Sequence, residues 1–168
     1  GAPRKEWLIL DENNGLKNVL VFVKESPSTP LSGDYSPPPN PAVIDQNGCV
    51  YVPHVLGVMV GQNLDILNSD GTLHIIHALP KVNKEFNKAM PRSKKLMSVT
   101  FDKAEAPFKV KCDVHPWMGA FLGVFDHPYF AVTDDSGSYT ISGLAPGKYV
   151  IAVSYQHLTL PEEGLGVY

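Results

Sequence analysis

Residues 112–118 place three different metal-binding side chains in one short segment. Cys112, His115 and Met118 offer a thiolate, an imidazole and a thioether. Sulfur ligands suit Cu(I) and nitrogen ligands suit Cu(II), and a trigonal His₂Cys set with a long axial Met is typical of blue-copper electron-transfer sites. Such a site needs a second histidine from elsewhere in the chain, and His74 is the best candidate.

A second histidine lies close to that candidate in the sequence. His74 and His77 are three residues apart in a segment that reads as a β-strand, 74–78. Side chains three apart in a strand face opposite sides, so only one of the two can face Cys112. The other is then expected to be a hydrogen-bonded or surface histidine.

The chain has only two cysteines, Cys49 and Cys112. Two cysteines in an exported protein usually form a disulfide, and a bridged sulfur cannot act as a thiolate ligand. A metal-free structural module with a Cys49–Cys112 disulfide is therefore one alternative. Otherwise Cys49 is a buried apolar thiol, or part of a second metal site with His54, His77 or His127.

Composition predicts an all-β protein. Among 168 residues, 15 are Pro and 14 are Gly, and Val, Tyr and Phe recur in short runs. This pattern is typical of short strands joined by many turns, within one domain or one domain with an appendage. No apolar run approaches the ~20 residues of a membrane-spanning helix. Neither an acid–base pair, an activated nucleophile nor a phosphate-binding loop is visible, so we do not expect an enzyme.

Charge is distributed unevenly along the chain. The net charge is only −3, but residues 81–111 hold nine of the 14 Lys and Arg and three of the 17 acidic residues. A basic face on an acidic body predicts docking to an acidic partner. Ordinary scatter of surface charge explains the numbers equally well. No Arg-rich or aromatic-interleaved basic motif is present, so nucleic acid is not an expected partner.

Alternation of apolar and polar residues predicts most of the strands. In 108–112, Phe108, Val110 and Cys112 should face the core and the two lysines should face outward, which sets the Cys112 sulfur at the end of a strand. Residues 26–41 are rich in Pro and read as an extended connector, and 81–95 as a surface loop. Further strands are predicted at 6–10, 19–23, 49–52, 56–60, 64–68, 97–101, 122–125, 130–133, 139–141 and 149–153.

Between Tyr51 and Phe125 the chain resembles a cupredoxin. Residues 58–62 look like the strand and VG turn of that family, Asn68 begins the segment that delivers the first histidine, and residues 101–104 look like the strand before the ligand strand. The Cys-x₂-His-x₂-Met spacing of residues 112–118 is that of amicyanin-type loops, whereas plastocyanin-like loops have a longer gap to the Met.

The resemblance implies a Greek-key β-sandwich over residues 42–126, with additional N- and C-terminal strands. It also implies one copper ion per chain, with the ligands His74, Cys112, His115 and Met118. One departure is Ile75, because the family usually has Asn directly after the first histidine. That exchange is expected to weaken the support of the loop that carries the thiolate.

The function that the resemblance implies is single-electron transfer between redox partners by a mononuclear type 1 copper. The partners would dock at the apolar surface around His115, and the protein would lie in a periplasm, outside the cell or at the cell surface. Copper storage or delivery through the same Cys, His and Met ligands is the alternative.

The two ends of the chain resemble something else. Residues 132–149 look like the end of carboxypeptidase-regulatory, transthyretin-like sandwiches, and 15–23 look like their opening strand. Residues 6–25 and 127–158 therefore either form a small second sandwich or extend the sheets of the copper domain. We favour the extension, because five strands make a thin independent core.

Overall fold

The computed structural model of the chain describes residues 9–24, 31 and 33–155. These residues divide into two compact units, one of residues 36–126 and one of residues 9–24, 31, 33–35 and 127–155. The strand predicted at 6–10 and the connector predicted at 26–41 fall partly outside the described residues. No helix in the described ranges is long and apolar enough to cross a membrane.

The secondary structure of the described residues consists of strands. Twelve strands follow one another along the chain. They are β1 (Leu20–Lys24), β2 (Ala42–Gln46), β3 (Tyr51–Val52), β4 (Val55–Met59), β5 (Leu64–Asn68), β6 (His74–Ala78), β7 (Phe86–Met90), β8 (Leu96–Val99), β9 (Glu105–Lys111), β10 (Gly119–Phe125), β11 (Phe130–Val132) and β12 (Val150–Ser154).

The unit of residues 36–126 contains two sheets. Their strand orders are β3-β2-β5-β8 and β4-β10-β9-β6-β7. Neighbours are antiparallel except for β2 with β5 and β4 with β10, which run parallel. Buried apolar side chains from both sheets form a common core. The unit is an all-β sandwich, and the predicted all-β class is confirmed.

The strand that leads to the cysteine loop shows the predicted alternation. Phe108, Val110 and Cys112 are buried, whereas Lys109 is exposed and Lys111 is half-buried. Successive side chains of a strand point to opposite faces, so this register directs the Cys112 sulfur towards the core. The strand therefore positions the thiol as the sequence predicts.

Two strands were not expected from the sequence, and one expected strand is absent from the described residues. In β2 the inward positions include Gln46, a buried polar residue, which hides the alternation. In β7 only Met90 is buried, because this strand lies at a sheet edge. Residues 139–141, predicted as a strand, are not one in the structure.

The other unit has a sheet of its own. Strand β1 lies between β11 and β12, antiparallel to both, and Leu20, Val21 and Val23 of β1 are buried. Within the described residues these three strands form a separate sheet. This differs from our expectation that the terminal strands extend the sheets of the copper domain.

A buried carboxylate anchors the segment before β7. Glu105 accepts hydrogen bonds from the backbone N–H groups of Lys81, Val82 and Asn83 and from the Asn83 side chain. Burial alone would raise the pKa of Glu105, but these donors outweigh it and hold the pKa below its ordinary value. The ionised Glu105 carboxylate therefore stabilises the folded protein at pH values above the ordinary pKa of a glutamate.

We expect Glu105→Gln to destabilise the protein by about 1–3 kcal/mol at neutral pH, because one charged acceptor of several N–H groups is lost. A depressed folded-state pKa gives stability that is present at high pH and disappears as pH falls. The difference between wild type and variant should therefore shrink below the ordinary pKa of 4.5. Urea unfolding at a series of pH values measures it.

The matched control is Asp102→Asn, an exposed acid in the preceding turn. Its effect should stay within about 0.5 kcal/mol at every pH. A Glu105→Gln penalty that does not change with pH would contradict the assignment.

Candidate metal centre

The histidines and the cysteine that the sequence singled out meet in one place. His74 is the first residue of β6, Cys112 directly follows β9, and His115 lies in the loop before β10. The Nδ1 atoms of His74 and His115 are 3.1 Å apart, and Cys112 Sγ is 3.6 Å from His115 Nδ1. His74 and Cys112 are buried, whereas His115 is half-buried.

A carboxylate orients the His74 ring. His74 Nε2 lies 2.8 Å from Asp70 Oδ2. An ionised carboxylate only accepts hydrogen bonds, so Nε2 is the nitrogen that donates to it, and Nδ1 is the nitrogen that faces the His115 ring. Metal-ligating histidines are typically oriented in this way by a carboxylate or carbonyl. The pair therefore fits a metal ligand.

Asp70 also holds a turn against the site. Its Oδ1 accepts from Gly48 N–H and its Oδ2 from Cys49 N–H, each at 2.9 Å. Burial would raise the pKa of Asp70, but the Cys49 and Gly48 donors and His74 lower it below its ordinary value. The carboxylate is thus ionised at neutral pH.

Backbone supports the Cys112 sulfur in spite of the Asn-to-Ile departure. Ile75 N–H donates to Cys112 Sγ at 3.4 Å. A backbone N–H group is present whatever the side chain at position 75. Ile75 therefore makes this hydrogen bond, although it cannot give the side-chain support expected of an Asn. A donor on a thiolate sulfur tunes the metal that it binds.

One phenol ties β6 and β9 together. Tyr51 is buried, and its hydroxyl lies 2.9 Å from Ile75 O and 3.1 Å from Lys111 O. Burial, with smaller contributions from Cys112 and Asp113, raises the pKa of Tyr51. The neutral hydroxyl is therefore a permanent donor beside the residues that follow His74 and precede Cys112.

The ligand loop closes on itself through the backbone. Cys112 N–H donates to Met118 O at 3.0 Å, and Met118 N–H donates to His115 O at 2.9 Å. Met118 is 1 % exposed, and these backbone contacts place it at the base of the loop. Its role as the axial ligand stays a prediction.

Cys49 lies at this site, and sequence reasoning missed it. Ligand atoms of Cys49, His74 and His115 all lie within 4.8 Å of one another, so these three residues could hold a metal ion. Burial, then Asp70 and Cys112, raise the pKa of the Cys49 thiol. The Asn47-Gly48 dipeptide, which is typical of a tight turn between two strands, is the sequence signal that could have indicated that Cys49 returns beside β2.

Both cysteines are free thiols in the structure. The alternative of a metal-free module with a Cys49–Cys112 disulfide is therefore wrong for this structure. The separate site imagined from Cys49 with His54, His77 or His127 does not form around Cys49, which instead lies with the central pair of histidines.

His77 faces away from the centre, as the strand register predicts. Its Nδ1 lies 2.9 Å from Asp113 and its Nε2 2.9 Å from Glu85, and Glu85 followed by Asp113 raises the pKa of His77. Lys111, then Asn87 and His77, lowers the pKa of Asp113 to about 2. This exposed network braces the residue next to Cys112.

Apolar side chains surround the half-buried histidine. Trp117 is 56 % exposed and Val114 is 42 % exposed. The Trp117 ring lies 5.3 Å from the His115 ring, and its Nε1–H donates to Cys49 O at 3.1 Å. The Trp117 ring is therefore exposed beside His115 and held in place by a hydrogen bond.

Comparison with known proteins gives similarity to solved structures. No family model and no curated protein matches the chain. A Cu(I) structure of an amicyanin mutant is 24 % identical, over 50 % of this chain and 81 % of that chain, with a TM-score of 0.44. A Cu-containing nitrite reductase from Thermus scotoductus SA-01 is 18 % identical, over 62 % of this chain and 25 % of that chain, with a TM-score of 0.48. A purple cupredoxin from Nitrosopumilus maritimus is 22 % identical, over 49 % and 98 %, with a TM-score of 0.41.

Tyr51→Phe should destabilise the protein by about 1–2 kcal/mol, because the hydroxyl that donates to the carbonyls of Ile75 and Lys111 is lost while the ring still fills its space. Chemical denaturation measures the change. Tyr139→Phe, at an exposed tyrosine, is the control and should be near neutral. An unchanged midpoint for Tyr51→Phe would show that its hydroxyl does not brace the ligand strands.

Proposed function

We propose that this chain is a mononuclear type 1 copper protein that carries single electrons between redox partners. One copper ion would be held by His74, Cys112, His115 and Met118. The observation that carries the proposal is the convergence of two imidazole Nδ1 atoms, 3.1 Å apart, with a thiol sulfur 3.6 Å from one of them. Bound copper supplies a Cu(II)/Cu(I) couple.

The surroundings of the ligands support this role because they are already ordered. Asp70 fixes the orientation of His74, Ile75 N–H contacts the Cys112 sulfur, and Tyr51 joins the strands behind both. Ligands held by packing and hydrogen bonds change little between two charge states of a metal. A small rearrangement is what rapid electron transfer requires.

The half-buried His115 is the proposed point of contact with redox partners. His74 and Cys112 are buried, so His115 is the histidine ligand nearer to solvent, and Val114 and Trp117 form an apolar surface beside it. We also propose that residues 81–111, whose basic side chains are mostly exposed, attract an acidic partner. A carrier of this kind would work in a periplasm, outside the cell or at its surface.

We further propose that the 42–126 region works as the copper domain and as a carrier rather than an enzyme. The terminal strands β1, β11 and β12, with their own sheet, would form a separate transthyretin-like module. Their sheet supports this reading over an extension of the copper domain.

Copper storage or delivery is the second candidate function, and Cys49 favours it. An additional sulfur within 4.8 Å of the ligand histidines offers a soft donor that a pure electron carrier does not need. A carrier retains its copper through repeated oxidation and reduction. A delivery protein instead releases Cu(I) to an acceptor.

Addition of Cu(II) to the metal-free protein should produce an intense visible absorption band from charge transfer between thiolate and copper. Cys112→Ser should abolish the band, because oxygen cannot replace the thiolate in that transition. His74→Gln should strongly weaken copper binding. His77→Gln, on the same strand but facing away, should retain the band, because His77 contacts Asp113 and Glu85 and none of the proposed ligands. A wild-type protein that stays colourless with one equivalent of Cu(II) would refute the proposal.

The proposed docking surface can be tested by electron self-exchange between two copies. Val114→Lys should slow self-exchange by about tenfold, since two like charges would then face each other at the contact. Its absorption spectrum should be unchanged, because the side chain is exposed. Val82→Lys, at another exposed valine, is the control. Equal slowing by both variants would point to net charge instead of the surface around His115.

A further inference from the structure

We propose that Cys49 is a further sulfur ligand for Cu(I) at the centre formed by His74 and His115. This inference rests on the proposed copper function and goes beyond the ligand set His74, Cys112, His115 and Met118. The ligand it would take is a soft monovalent cation. Binding forms a copper–sulfur bond and releases the thiol proton to solvent, with no change of oxidation state.

The position of Cys49 carries the inference. Its Sγ and the ring nitrogens of His74 and His115 lie within 4.8 Å of one another, a separation that one metal ion can span. The side chain is half-buried and unbridged. A cation bound by the two histidines therefore has the Cys49 thiol within reach.

Hydrogen bonds join the Cys49 backbone to Asp70 and to Trp117. Its N–H donates to Asp70, the carboxylate that also orients His74, and its carbonyl accepts from Trp117 of the ligand loop. The residue is thus tied to both segments that contribute histidines. These two hydrogen bonds fix the position from which the Cys49 side chain extends.

The backbone of Cys49 adopts a costly conformation. Its φ is +58°, in the left-handed region, after Gly48 at +69°. For a residue with a side chain such a conformation is unfavourable, and it persists where the surrounding structure holds it, commonly at functional sites. Here Asp70 binds both consecutive N–H groups of the turn and so maintains the strained conformation.

A thiolate ligand favours one oxidation state of copper, Cu(I). Soft thiolate ligands select Cu(I) over harder cations, whereas imidazole accepts both copper states. Cys49 would therefore contribute chiefly to Cu(I) affinity. The Cu(II) band that tests the proposed function depends on Cys112. An experiment can therefore refute the role of Cys49 without refuting the electron carrier.

The experiment is Cu(I) affinity, measured anaerobically by competition with bicinchoninate, for wild type, Cys49→Ser, Cys112→Ser and Val52→Ser. We expect Cys49→Ser to bind Cu(I) at least about tenfold more weakly than wild type, because loss of even an outer partner of a metal ligand typically weakens metal binding that much. Val52→Ser replaces an exposed side chain on the adjacent strand and should match wild type. X-ray absorption of the Cu(I) protein should show one fewer sulfur neighbour in Cys49→Ser.

A Cys49→Ser protein with wild-type affinity and an unchanged number of sulfur neighbours would overturn the inference, while the Cu(II) band of wild type would still support the electron carrier. Loss of the Cu(II) band in wild type would overturn the proposed function instead. Should Cys49→Ser fail to fold, alkylation of wild type decides the question. Cu(I) should protect Cys49 from iodoacetamide, mapped by mass spectrometry, and equal labelling with and without Cu(I) would refute the assignment.

Discussion

The carboxylate of Asp70 is the interaction on which the arrangement of the centre depends. Its two oxygens accept from the turn at Gly48 and Cys49 and from the ring of His74. Asp70 is itself held, because its N–H donates to the Asn68 side chain and its carbonyl accepts from Lys95. One side chain thus fixes a turn, a histidine orientation and the segment between two strands, and its low pKa keeps it charged at neutral pH.

The part of the centre that is local in sequence could be predicted, and the part that is not local could not. Cys112, His115 and Met118 share one segment, so their spacing marked them as candidates, whereas alternation said only that one of His74 and His77 can face Cys112 and the cupredoxin resemblance favoured His74. Cys49 joins them only because the turn after β2 is hydrogen-bonded to Asp70. The alternation of side chains within one strand says nothing about contacts between separate segments. The position of Cys49 beside the histidines could therefore not be predicted in this way.

The same distinction explains the strands. Alternation predicted β5, β6 and β9, whose inward side chains are mainly apolar. It failed for β2, where Gln46 is buried and binds the carbonyl of Leu67, and for β7, where polar residues cover an exposed edge. Lysines on edge strands discourage pairing with other chains. Part of the basic character of residues 81–111 therefore has a structural explanation.

The two parallel pairs, β2 with β5 and β4 with β10, have a consequence for the order of events when the chain folds. The second pair joins segments more than sixty residues apart in the sequence, Val55–Met59 with Phe121–Phe125. Such distant pairings are slow to form, because long loops must close before any contact rewards them. Strand β10, which follows the loop of Cys112 and His115, depends on this pairing, so the sandwich around that loop is slow to assemble.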